Sequence, residues 1–217
     1  MKKRRGEEAY KYMHELLDEA KELRYAYLTA NHPKKDKGQS WRSFKGKHFQ
    51  KLIQYIITDS IEILGFKVVN GDKLENTNTQ NLSQELRQVK ENLVIYYGEF
   101  GVRLPDADIV IYNPEDSHVI AIVSSKTSLR ERIAQTSYWK FKLLANEDTK
   151  HIKVYLITPD TDKLLTKADP ARKERIIAEA ELDGTYVLTK EDLQENENVK
   201  LFEHFIEDFK KVIEETQ

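Results

Sequence analysis

The chain of 217 residues contains no cysteine. No disulfide and no thiolate-bound metal can form, and this suits a reducing, cytoplasmic setting. No apolar run reaches the length of a membrane-spanning helix. The cations between Met1 and Arg5 have no apolar core behind them, so a signal peptide is not expected. Charge of one sign is also missing. Lys and Arg number 35 against 37 Asp and Glu, for a formal net charge of −2. Composition therefore excludes a disulfide scaffold and a helical membrane protein, and by itself does not announce a nucleic-acid binder. No internal repeat and no linker interrupts the chain. One domain over residues 1–217 is expected, with residues 1–43 and 159–217 flanking a core at 44–158.

The charge that is present is uneven. Between Asn31 and Lys51 lie Lys34, Lys35, Lys37, Arg42, Lys45, Lys47 and Lys51, against Asp36 alone. Such a segment can mark where a phosphate backbone lies, and it can equally be a solvated loop. From Glu174 onward the chain is rich in acids.

Apolar periodicity predicts the elements. A helix is expected over residues 5–30, ended by His32-Pro33, and then a basic loop over 34–43. A second helix is expected over 44–64, stopped by Gly65. A strand comes next at 66–69, then a turn at Asn70-Gly71-Asp72 and an irregular stretch over 73–80. The next helix is expected at 82–95, capped near Asn81 or Ser83, and a glycine-bearing loop at 96–104. After the central region, a strand at 154–158 lies one helical crossover from its predecessor, so the two should be parallel. A helix to Ala180 is expected with Asp169 as N-cap and Pro170 at its first position. A strand at 184–188 and a helix at 201–215 close the chain.

The central region carries the chemistry. Pro105-Asp106-Ala107-Asp108 opens the β-branched run Ile109-Val110-Ile111. A turn comes after it at Asn113-Pro114-Glu115-Asp116-Ser117, and the next run, Val119 to Ser125, closes on Lys126. This reads as a hairpin. It brings a carboxylate and an ammonium to two adjacent strand ends, where they can hold Mg²⁺ and steer a water onto a phosphate. An acid–strand–turn–strand–Lys pattern also arises by chance in many α/β proteins. The segment after Lys126 strengthens the signal. A helix is expected to about Ala145, with Thr127 or Ser128 as N-cap, and Arg130, Glu131 and Arg132 in its first turn. Two arginines there gain nothing from the helix dipole, which favours acids, so a ligand is the better reason for them. An Arg fork bonds guanine O6 and N7 together, and an acid accepts from cytosine N4.

On these motifs the chain resembles the PD-(D/E)XK nuclease superfamily, and within it the restriction endonucleases that cut CCGG-like sites with a Lys-x-x-x-Arg-(Asp/Glu)-Arg motif. The resemblance covers about Phe44 to Thr158. It implies an α/β fold, a mixed sheet flanked by helices with an αβββαβ core. It implies Asp108 as the metal-binding aspartate, 18 residues before Lys126, with Asp106 as the alternative. If the strand already begins at Asp106, both acids face one side. The resemblance further implies Mg²⁺, which Mn²⁺ can replace, held by Asp108 and the carbonyl of Ser125, with Lys126 orienting the water. Arg130, Glu131 and Arg132 would read bases, Lys45, Lys47 and Arg42 would contact phosphates, and Gln135 would line the groove.

The pattern departs from the family at its second acid. Ser124, Gln50 and Trp139 stand at the three positions where that acid is found. The neutral amide of Gln50 can still serve a metal or a water, and Glu62 is too far along the same helix. His48 and Tyr138 read as structural. Trp41 reads equally as packing onto its own domain or as a DNA contact. The expectation is a Mg²⁺-dependent type II restriction endonuclease, a homodimer cutting a short palindromic G·C-containing site in double-stranded DNA, with a cognate methyltransferase in the same cell. Alternatives are a structure-selective or repair nuclease of the same fold, and a non-catalytic nuclease-like DNA-binding protein.

Overall fold

The two β-branched runs do pair in the computed structural model, which describes residues 10–216. Strand β1 (Lys67–Asn70) and the two-residue strands β2 (Ile95–Tyr96) and β3 (Val102–Arg103) precede the hairpin. Its arms are β4 (Ile109–Tyr112) and β5 (Val119–Ser125). Strands β6 (Lys153–Thr158), β7 (Gly184–Val187) and β8 (Val199–Leu201) complete the set. The main sheet runs β1-β4-β5-β6-β7-β8. Its first three strands are antiparallel and its last four parallel, as the expected crossover requires.

Helices cover both faces. They are α1 (Met13–Asn31), α2 (Lys37–Ile63), α3 (Gly71–Asn76), α4 (Gln84–Glu91), α5 (Arg130–Leu144), α6 (Lys173–Glu181) and α7 (Phe205–Thr216). Side chains alternate across each strand, and the sheet accordingly divides two cores. Val110, Tyr112 and Ile122 face the core shared with α4, α5 and α6, through Val89, Ile133 and Ala178. Ile109, Ile111 and Val123 face the core shared with α2 and α7, through Phe49, Ile53, Ile57, Ile61 and Phe209. The i, i+4 ladder on α2 is what fixes that helix against the sheet, at about 1.5–3 kcal/mol per buried side chain.

Several boundaries differ from the sequence expectation. The N-terminal part of the first expected helix lies outside the described residues. The basic loop expected at 34–43 is largely helix. Asp36 caps α2, accepting from Gln39 N at 2.8 Å. The turn and irregular stretch after β1 contain α3, because Asn70 accepts from Lys73 N and starts a helix. The loop at 96–104 holds the small β2–β3 hairpin. Asp169 and Pro170 do not start α6. Gln194 holds the preceding segment through Thr166 O and Ala168 N, and the helix begins at Lys173. Strand β8 has no counterpart in the sequence expectation. No described helix is long and apolar enough to cross a membrane.

Arg175 on α6 is fully buried. It donates to Leu165 O at 2.6 Å and Gln194 O at 2.7 Å and pairs with Glu179, joining two loops beyond the parallel strands.

Candidate active site

Five short contacts build the site at the hairpin ends. Asp108 N donates to Val123 O at 3.1 Å, and Lys126 N to Ile157 O at 3.1 Å. Both residues lie just beyond regular strand, yet their backbones are pinned to the sheet. Asp108 Oδ2 then accepts from Lys126 Nζ at 3.0 Å, Ser125 N at 2.6 Å and Ser125 Oγ at 3.1 Å. The carboxylate and ammonium side chains are only 14% and 13% exposed, so solvent screens this pair weakly.

Two further elements fix Asp108. Gln50 on α2 is buried and donates from Nε2 to Asp108 O at 3.0 Å. Gly71 N donates to the same carbonyl at 3.0 Å. A Cβ on Gly71 would fall 1.6 Å from Ala107 O, so only glycine allows α3 to start against this segment. The sequence suggested a turn here. The close approach to Asp108 is a tertiary fact.

Asp106 is placed differently. Regular strand begins at Ile109, so Asp106 and Asp108 do not share a strand face. Asp106 is exposed and accepts from Gln135 Nε2 of α5 at 2.7 Å. Ser124 is buried, and the Thr136 hydroxyl hydrogen-bonds its Oγ at 3.1 Å. Trp139 packs against the α4–α6 core. Hydroxyls and an indole thus occupy the strand and α5 positions where the resemblance would put a second acid.

The donor set fits a hard divalent cation. Among the described residues, the hydrogen bonds to the Asp108 carboxylate engage Oδ2 and leave Oδ1, and the amide of Gln50 retains its oxygen. All are oxygen ligands, which such ions prefer. With one carboxylate the site carries little charge, and no cluster of three or more His, Asp or Glu suited to a metal occurs among the described residues.

The start of α5 borders a cavity of about 430 Å³. Arg42, Lys45, Arg130 and Arg132 bring four cations to it, and Glu131 and Asp162 bring two acids. Burial lowers the Lys45 pKa. Asp162 opposes that shift, while Arg132 and Lys21 add to it. Thr127 and Ser128 do not cap α5. Leu129 holds the cap position without a side-chain bond, and Arg130 has φ 29°, in the left-handed region. Lys47 lines a separate hollow with Arg24 and His48, on another side of α2. His48 stacks on Phe44 with centroids 3.8 Å apart, and Trp41 is buried. Tyr138 is half exposed and meets Tyr97, hydroxyl to hydroxyl at 3.1 Å.

The profile of the BsaWI restriction endonuclease type 2 family matches residues 85–213, from α4 through the β4–β5 hairpin to α7. The chain belongs to the BsaWI family of type II restriction endonucleases. MjaVIP of Methanocaldococcus jannaschii, assigned as a type II restriction enzyme, is 43% identical over 175 residues, covering 78% of this chain and 75% of the relative. HpyAORF263P of Helicobacter pylori, also so assigned, is 32% identical over 174 residues, covering 75% of this chain and 86% of the relative. Among solved structures, restriction endonuclease PspGI in complex with substrate DNA matches with TM-score 0.51 at 14% identity, over 95% of this chain and 78% of that one. At that identity the match speaks for the fold, the mixed sheet flanked by helices. BsaWI in its DNA complex matches with TM-score 0.49 at 17% identity, over 82% of this chain, and this chain spans 64% of its length.

Proposed function

We propose that this member of the family is a site-specific deoxyribonuclease. It hydrolyses phosphodiester bonds in double-stranded DNA at a short palindromic site containing G·C pairs, as a Mg²⁺-dependent homodimer in the cytoplasm, beside a cognate methyltransferase. The observation that carries the reading is the Asp108–Lys126 pair at 3.0 Å, locked to Ser125 at the end of two pinned strands. Family membership and the DNA carried by the PspGI complex support double-stranded DNA as substrate.

In this reading a new P–O bond forms to water and one ester P–O bond breaks. Lys126 orients that water and places positive charge where the phosphate gains negative charge. Asp108 fixes the ammonium and offers its second oxygen to a cation, with the Ser125 carbonyl and Gln50 as the other protein oxygens. A divalent ion held by these oxygens would supply positive charge to the phosphate. Asp106 is the alternative acid, held by Gln135 of α5. Arg130, Glu131 and Arg132 read base edges from the start of α5. Lys45 and Arg42 contact phosphates at the same groove, and Lys47 does so from the neighbouring hollow.

Digestion of one plasmid with Mg²⁺, followed by sequencing of the ends, tests the proposal. Discrete fragments with one shared end sequence are expected. Cuts confined to branched DNA would favour a structure-selective nuclease, and DNA binding without cleavage would favour a non-catalytic protein. Either result overturns the reading.

A further inference from the structure

The loop between β6 and α6 puts an acid into the basic groove. Its frame is rigid. Asp160 accepts from Leu164 N at 3.0 Å and Leu165 N at 2.8 Å, with its own N bonded to Thr158 Oγ1 at 2.9 Å. Thr161 Oγ1 donates to Thr127 O at 2.5 Å, tying the loop to the segment that leads into α5. Asp162 is thereby held at the cavity wall, its side chain 24% exposed. Its Oδ2 is buried and has no hydrogen-bond partner among the described residues. Arg130 Nε stands 4.0 Å from it.

A buried carboxylate oxygen without a donor is costly, and natural folds seldom keep one without a use. Arg130 bears a second mark of use, its left-handed backbone at the first position of α5. The two features meet at one guanidinium. That group carries five N–H donors in a fixed fork. If Nε faces Asp162, the terminal nitrogens remain for the N7 and O6 of a guanine. A phosphate in the same place would set its negative charge against the carboxylate. A neutral base edge would not.

We propose that Asp162 is a specificity-determining residue. It orients Arg130 toward guanine edges and disfavours phosphate at that position, so the groove rejects non-cognate DNA. This rests on the reading of the chain as a site-specific DNA-cutting enzyme. Asp162 touches neither the scissile phosphate nor the water, and it acts through Arg130.

The test is Asp162→Asn, which keeps shape and removes charge. Binding is measured to a short duplex carrying the site mapped from wild-type plasmid ends, and to the same duplex with one G·C pair changed, at several salt concentrations. Asp162→Asn should bind the altered duplex several-fold more tightly, and the cognate-to-altered ratio should fall about tenfold. In an Arg130→Ala background the same change should leave the ratio where Arg130→Ala alone puts it. A melting temperature near wild type separates this from a folding defect. An unchanged ratio, or equal weakening on both duplexes, overturns the inference while leaving the enzyme reading intact. Absence of discrete wild-type cuts overturns both.

Discussion

Lys126 is an ordinary lysine until Asp108 stands 3.0 Å from it. Removing one such stabiliser of a developing charge typically costs two to three orders of magnitude in rate. Lys126→Ala should therefore lose cleavage by at least about a hundredfold while retaining DNA binding, read from single-turnover cleavage beside a gel-shift titration. Asp108→Ala should behave likewise. Asp106→Ala should lose less, since Asp106 is tied to Gln135. Near-wild-type cutting by Lys126→Ala would refute the assignment of the site. Gln50 offers a second test. Its amide holds the Asp108 carbonyl at 3.0 Å, and in the proposed reading its oxygen serves the cation in place of a second acid. Gln50→Glu should tighten Mg²⁺ or Mn²⁺ binding by the free protein, and Gln50→Leu should impair cleavage without unfolding. Calorimetric titration of metal with and without DNA reads the first, and cleavage beside a melting curve reads the second. Tight binding of two ions by the free wild-type protein would contradict the low-charge site.

Helix α3 shows how an element can set a site that it does not itself form. Its first residue, Gly71, lies against Ala107 O where no Cβ fits. Gly71→Ala must push α3 away from the segment bearing Asp108, at about 1–3 kcal/mol. Cleavage should fall at least about tenfold more than the fraction folded, measured by activity and urea denaturation on one preparation. At the start of α5, Arg130 and Arg132 should each supply about 1–3 kcal/mol of base discrimination. Lys45→Ala should instead weaken binding on all sequences and flatten the salt slope by roughly 0.9. Competition binding against single-base variants distinguishes the two kinds of contact. An Arg130→Ala protein with an unaltered specificity ratio would remove Arg130 from base reading.

Across the whole molecule, Arg175 ties together two loops beyond the parallel strands. Arg175→Met keeps much of the volume but leaves the carbonyls of Leu165 and Gln194 without their donor. A stability loss of about 2–5 kcal/mol is expected by urea denaturation. A loss below about 1 kcal/mol would mean that water replaces the guanidinium. A palindromic site further requires two copies of a chain whose single site cuts one strand. Sedimentation equilibrium should give a dimer, and a monomer that cuts both strands in one encounter would contradict this geometry.

The hairpin, the pairing of Asp108 with Lys126, and most of the helices that flank the sheet are legible in the sequence alone. Alternating β-branched residues and the i, i+4 ladder of α2 are local patterns, so each can be read without its partner. That Ser124, Gln50 and Trp139 are not acids was also legible, because an identity at a given spacing needs no coordinates. Contacts between distant segments settled the rest: that the basic segment is helix, that Lys45 and Lys47 face different hollows, and that Gly71 and Gln50 hold the Asp108 carbonyl. They also set where α5 and α6 begin. Asp169-Pro170 has the letters of a helix start, but long-range bonds from Gln194 hold the chain just before it and α6 starts only at Lys173. Asp162 has no local signal, because a loop acid becomes unusual only when folding sets it unsatisfied among cations brought from α2 and α5. Local free energies of a few tenths to about 1 kcal/mol choose caps and turns, and tertiary contacts can outweigh them.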